Sequence, residues 1–206
     1  MDIADMMQKG GIMMYPLAVC SVVLLAVFLE RLWFFTANRG RKQNYVDAVH
    51  LAVEGKPEDA LRCLEGAKGE TERVFAEALR HAQVSRHDME HIVTNRGVQE
   101  LQRFAKHLHV MELIGRVAPM MGLFGTVLGM AAAFRTVAAY KGAVDPALLA
   151  GGIWEALLTT IAGLFVGIPA LIVYHFFEKS LHTKAVNLKV KGEEMVRVLE
   201  RMHDRL

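Results

Sequence analysis

Three apolar runs, each long enough to cross roughly 30 Å of hydrocarbon, constrain this chain more than any other feature. They cover residues 11–29, extended by Trp33, Phe34 and Phe35; residues 117–134; and residues 156–177, which carry no formal charge. In hydrocarbon a backbone must satisfy its own hydrogen bonds, so runs of this length are read as helices. The 206 residues are 53% hydrophobic yet 22% charged, with mean hydropathy +0.25. Both hold only because the charges are segregated from the runs. The reading is an all-α integral membrane protein with three transmembrane helices.

The basic residues orient it, because Lys and Arg near span ends favour the cytoplasm. Arg31, Arg39, Arg41 and Lys42 follow the first run, and Arg103, Lys106 and Arg116 precede the second. Lys179, Lys184, Lys189 and Lys191 follow the third. The N-terminus has Lys9 against Asp2 and Asp5, and the last inter-span loop has Lys141 against Asp145, with Arg135 at its edge. The expected division is then an N-terminal segment and first span at 1–36, and a cytoplasmic helical segment at 37–112. A second span at 113–139, a periplasmic loop at 140–150, a third span at 151–177 and a cytoplasmic C-terminal helix at 178–206 complete it. The nearly uncharged start and the basic residues after the first run suit an uncleaved anchor better than a secretory signal. Cys20 falls inside a span and Cys63 in the cytoplasmic segment, so two free thiols are expected.

Within the cytoplasmic segment, two short amphipathic helices break at "EGKP", and Glu58 and Asp59 favour the start of the second. Val74, Ala78 and Leu79 make one stripe of the next helix. From about Asp88 no proline interrupts the pattern until Pro119, which predicts one long helix running from the cytoplasm into the second span. The tail extends the third span, with Leu188, Met195 and Leu199 on one side. Projecting helices with such partial stripes are expected to pack against other chains.

Spans two and three are rich in small residues: Gly122, Gly125, Gly129 and Ala133 in one, Gly151, Gly152, Gly163 and Gly167 in the other. Small residues four apart let helices approach closely where lipid offers no hydrophobic drive. Packing explains the glycines but not the polar residues Thr126, Thr159, Thr160 and Glu155. A lone membrane threonine usually bonds a carbonyl one turn back on its own helix. Three at comparable depth, with an ionisable group that must pair or face water, point to a shared polar surface. Arg135 is a local candidate to pair with Glu155. Threonine cannot take and release a proton near neutral pH, and no Asp, Glu, Lys or Arg lies at mid-depth in a span. A proton route therefore needs a carboxylate from another chain, and a lumen needs several copies.

The other candidates are weaker. His87 and His91 form an i, i+4 pair near His81 that has metal-ligand spacing but no second ligand cluster, so solvated histidines are the favoured reading. His175 is read as interfacial, and Met120, Met121 and Met130 as packing residues. No nucleophile elbow, phosphate loop or zinc motif is present, and a net charge of +2 gives no argument for nucleic acid. Neither enzymatic activity nor a cofactor is expected.

"APMMGLFGTVLGM", followed by "GGIWEALLTTIAGLFVGIPALIVYHFF", resembles the signature of the MotA/TolQ/ExbB proton-channel family. "FLERLWFF" is similar to that family's exit from its first helix. The three-span layout resembles the ExbB/TolQ branch, since MotA-type members have four spans. The resemblance implies a homopentamer around two helices of an ExbD- or TolR-like single-span partner, whose intramembrane Asp carries the proton. It also implies a TonB- or TolA-like energy transducer and residence in the bacterial inner membrane. The family's lumen threonines fall on Thr126 and Thr160 and its acidic position on Glu155. Thr159 stands where relatives usually have a small residue. The alternative is a membrane scaffold whose polar residues only lock an oligomer; a small transporter with its own substrate is disfavoured by the lack of intramembrane charge.

Overall fold

The computed structural model describes residues 10–38, 40, 42–139 and 146–203. All regular structure among them is α-helical: α1 (Met14–Ala37), α2 (Lys42–Val53), α3 (Pro57–Leu64), α4 (Glu70–Arg80), α5 (Arg86–Ala105), α6 (Leu108–Ala139) and α7 (Pro146–His203). Three helical stretches are long and apolar enough to cross a membrane: Met14–Ala37, Arg86–Ala139 and Leu149–Met202. Lys9, Arg39, Arg41, Lys141 and Asp145, on which part of the charge bias rests, lie outside the described residues, as does most of the loop at 140–150. The third span begins inside a helix that already starts at Pro146.

The chain divides into two compact units. The first comprises Met1–Glu30 and His107–Phe176. Its core is thin: Leu17, Ile114, Ala118, Val166 and Ala170. Large apolar side chains such as Val22, Leu25, Phe124, Val127, Phe165 and Ile172 point outward instead. In water that arrangement would forfeit the main driving force of folding; in lipid it forfeits nothing, because the surroundings are as apolar as the side chains. Small residues join α6 to α7. A Cβ on Gly122 would meet Thr159 O at 2.9 Å, Thr160 Cα at 3.1 Å and Gly163 Cα at 3.2 Å. One on Gly163 would meet Ala118 O at 2.6 Å. The seam continues through Gly125 against Thr159, Gly129 against Ala156, and Gly167 against the ring of Pro119. Gly151 faces open space within the chain.

The second unit comprises Arg31–Lys106 and Phe177–Leu206. The expected break at "EGKP" separates α2 from α3, which starts on Pro57 with Glu58 and Asp59 in its first turn. Proline is preorganised at that position, and the acids oppose the helix dipole. Ser85 caps α5 by accepting from the Asp88 backbone N–H at 3.2 Å, which satisfies one of the orphan donors. Val74, Ala78 and Leu79 are buried with Phe75, Met89 and Val93, and so are Leu188, Met195 and Leu199 of α7. The expectation that the tail's stripe packs against other chains is thus corrected. The stripes of α2 to α5 are complementary to it and close the core within one chain. Tyr45 donates to Glu194 Oε2 at 3.2 Å. Burial and the Glu194 charge push its phenol well above the ordinary tyrosine range.

A second correction concerns the continuous helix from Asp88. Helix α5 ends at Ala105, with Lys106 as its C-cap, and α6 starts at Leu108. Between them His107 adopts φ 63°, a left-handed conformation that costs an L-residue about 1–2 kcal/mol. Tertiary contacts compensate on each side. Arg31, 1% exposed, donates to the carbonyls of Arg103 at 3.1 Å and Phe104 at 3.4 Å, groups a helix end leaves without partners. In the first unit, His107 Nδ1 lies 3.4 Å from Glu30 Oε2.

Candidate functional site

The polar side chains of the membrane unit gather along the α6–α7 seam, and the glycines put them there. With no side chain at Gly122, its carbonyl is open to hydroxyls from α7. Thr159 Oγ1 donates to it at 3.3 Å, and to Ala156 O at 2.7 Å. Thr160 Oγ1 donates to the same Gly122 carbonyl at 3.2 Å. Thr126, one turn further along α6, donates to Leu123 O on its own helix at 2.6 Å.

Exposure separates the three. Thr159 is 2% exposed, wedged against Gly125, and serves packing within one chain. Thr126 and Thr160 remain partly exposed. Each hydroxyl spends its proton on a carbonyl but keeps lone pairs. In this arrangement both are acceptors, able to hold water or a protonated carboxylic acid.

Glu155 is half-buried and does not share a face with Thr160. Five helical residues rotate the side chain by about 140° and advance it about 7.5 Å. Its carboxylate lies instead against Gly11, where a Cβ would overlap Oε1. Gly11 takes φ +67°, which glycine adopts without steric cost. The contact ties the chain leading into α1 to α7. Glu155 lies about 14 Å along α7 from Pro146, further inside the helix than the sequence implies. Arg135 is exposed, and among the described residues it forms no ion pair with Glu155. His175, at the other end of the span, has its ring 5.1 Å from that of Tyr174 and tilted by 56°.

Two prolines add free acceptors. Pro119 and Pro169 lie inside α6 and α7 and lack the N–H that would bond the carbonyl four residues back. Gly115 and Phe165 thus each keep a carbonyl without its usual helical donor. Non-helical hydrogen-bonding capacity at membrane depth is tolerated where protein or water can meet it.

The second unit holds an ionic cluster that sequence reasoning missed. Glu100, 0% exposed, pairs with Arg73 at 2.7 Å, Arg96 at 3.0 Å and Arg103 at 3.3 Å. Arg96 and Arg103 were findable from their i, i+4 and i, i+3 spacing to Glu100; Arg73, on another helix, gives no such signal. Arg73 also donates to Lys68 O at 2.6 Å and Asn38 Oδ1 at 3.3 Å, pinning the chain entering α4. Among the described residues no group of three or more metal-ligating side chains occurs.

Residues 67–189 match the MotA/TolQ/ExbB proton channel family, a stretch covering α6, α7 as far as Lys189, and the Glu100 cluster. The chain is 28% identical over 174 residues to the biopolymer transport protein exbB1 of Vibrio cholerae, covering 82% of this chain and 76% of that one. An ExbB-like biopolymer transport protein of Synechocystis is 26% identical over 199 residues, 96% of this chain and 95% of its own length. A second from the same organism is 30% identical over 186 residues, 82% and 68% of the two chains. Three spans, a glycine-built seam with hydroxyls at its centre, and similarity along nearly the full length converge: this chain belongs to the MotA/TolQ/ExbB proton channel family, in its ExbB branch.

Proposed function

We propose that the chain is the ring-forming subunit of a proton-driven motor in the bacterial inner membrane. Five copies surround two helices of a single-span ExbD- or TolR-like partner, with the N-terminus periplasmic and the C-terminus cytoplasmic. One observation carries the reading. Residues 117–134 and 156–177 contain hydroxyls but no Asp, Glu, Lys or Arg, and their one histidine, His175, lies at the end of the third run, so a channel built from them lacks a titratable relay at mid-depth. The partner's intramembrane Asp supplies that relay. Thr126 and Thr160 face it as acceptors, and Glu155 sets the charge at the periplasmic mouth.

Protonation of that Asp turns it into a donor that fits the free lone pairs of Thr126 and Thr160. The change of charge on gaining or losing that proton alters the Asp's hold on one subunit's threonines and so permits a step to the next subunit. The rotation would be read out by a TonB- or TolA-like transducer reaching across the periplasm. Thr126→Val and Thr160→Val keep the branched shape and remove the hydroxyl. Each should abolish proton flux in the reconstituted complex while the oligomer stays intact by native mass spectrometry. Full flux in both variants would reduce these threonines to packing residues.

The second reading is a non-conducting scaffold. It is favoured by the commitment of all three hydroxyl protons to helix carbonyls, the arrangement expected of threonines that only lock helices. Proton flux in partner-containing liposomes separates the two.

A further inference from the structure

We propose that His87 and His91 form a two-imidazole chelate for a divalent transition-metal ion, with Zn2+ as the reference occupant. The two residues are separated by one helical turn on α5, and both are exposed. Their Nε2 atoms lie 3.2 Å apart, with ring centroids at 4.5 Å and an interplanar angle of 87°. A zinc ion sits about 2.0–2.1 Å from an imidazole nitrogen. Placed at that distance from both Nε2 atoms, it subtends about 103° at the metal, close to the tetrahedral value of about 109°.

The neighbouring groups define the kind of site. Asp88 accepts from Ser85 Oγ at 2.7 Å and Glu90 from Arg86 Nε at 3.0 Å, so both nearby carboxylates are engaged. His81 sits on the preceding turn segment, its Nδ1 3.0 Å from Glu77 O. The chelate therefore has two protein ligands, with water completing the shell, and binds exchangeably rather than as a folding metal. At 3.2 Å the two Nε2 atoms are within hydrogen-bond reach, with donor and acceptor set by the tautomers. Chelation needs a lone pair on both Nε2 atoms, so in the complex each ring carries its proton on Nδ1. Late first-row ions compete for the site in the order their nitrogen affinities dictate, Cu2+ above Ni2+ and Zn2+. Bridging residues one turn apart also holds the first turns of α5 closed, so binding stabilises that segment.

The test is Zn2+ titration by calorimetry into the full chain, without a histidine tag, in detergent. Hydrogen exchange of residues 86–95 is followed in parallel. One saturable site per chain is expected. His87→Ala and His91→Ala should each lower its affinity at least about tenfold, the lower end of what losing even an outer-shell partner costs. His81→Ala should leave it unchanged, and Zn2+ should slow exchange at 86–95 only while both ligands are present. Absence of saturable binding would overturn the proposal, as would wild-type affinity retained in either His87→Ala or His91→Ala.

Discussion

A single missing methyl group decides how closely α6 and α7 approach. At Gly122 the atoms a Cβ would meet are backbone or Cα atoms of α7 at 2.9–3.2 Å, which cannot rotate aside. Gly122→Ala should therefore separate the helices and withdraw the carbonyl shared by Thr159 and Thr160. Overpacking of this kind costs about 1–3 kcal/mol, to be measured as a lowered unfolding midpoint in detergent. Glu100 is the opposite case, a residue whose charge holds others. Glu100→Gln keeps the shape but leaves three guanidiniums, at 2.7–3.3 Å, around a neutral amide. Breaking a buried ionic arrangement from one side costs about 3–5 kcal/mol. The variant should unfold the helices around Arg73 well before the wild type, and urea melts followed by circular dichroism would show it. Thr126, Thr160 and Glu155 are conspicuous in the sequence because hydroxyls and a carboxylate stand out in hydrocarbon, and as proton-pathway residues they remain a proposal. The Gly11 cradle is not legible there, because it joins distant residues through a backbone conformation.

At the scale of elements, the helices were legible wherever local chemistry marks their ends. Pro57 and Ser85 announce α3 and α5, and the run lengths announce the spans. The break at 106–107 carries no such mark, since "FAKHLHV" contains neither glycine nor proline. Tertiary contacts impose it, with Arg31 capping one helix end and Glu30 meeting His107. The backbone of His107 yields a direct prediction. Glycine accepts positive φ freely, so His107→Gly should preserve the break with little change in stability. Proline is held near −65° and cannot form it, so His107→Pro should cost on the order of 3 kcal/mol. Thermal unfolding of both variants checks this; equal damage from glycine would show that the ring's contact with Glu30, rather than the backbone, maintains the break. The tail's stripe was visible as a stripe, but its partner was not. Periodicity reports that a face is apolar and is silent on which surface covers it.

For the whole molecule, the distribution of titratable groups governs what the chain can do. Charges crowd the second unit, while the seam of the first offers hydroxyls and carbonyls alone. On the proposed function, such a protein guides a proton carrier supplied by its partner. The most direct test is proton flux into liposomes under an imposed pH gradient. Vesicles holding this chain alone should stay nearly proton-tight. Adding a single-span partner with an intramembrane Asp should open a flux that partner Asp→Asn or Thr160→Val removes. A robust leak through the chain alone, abolished by Thr160→Val, would make the ring itself the proton path and contradict the account.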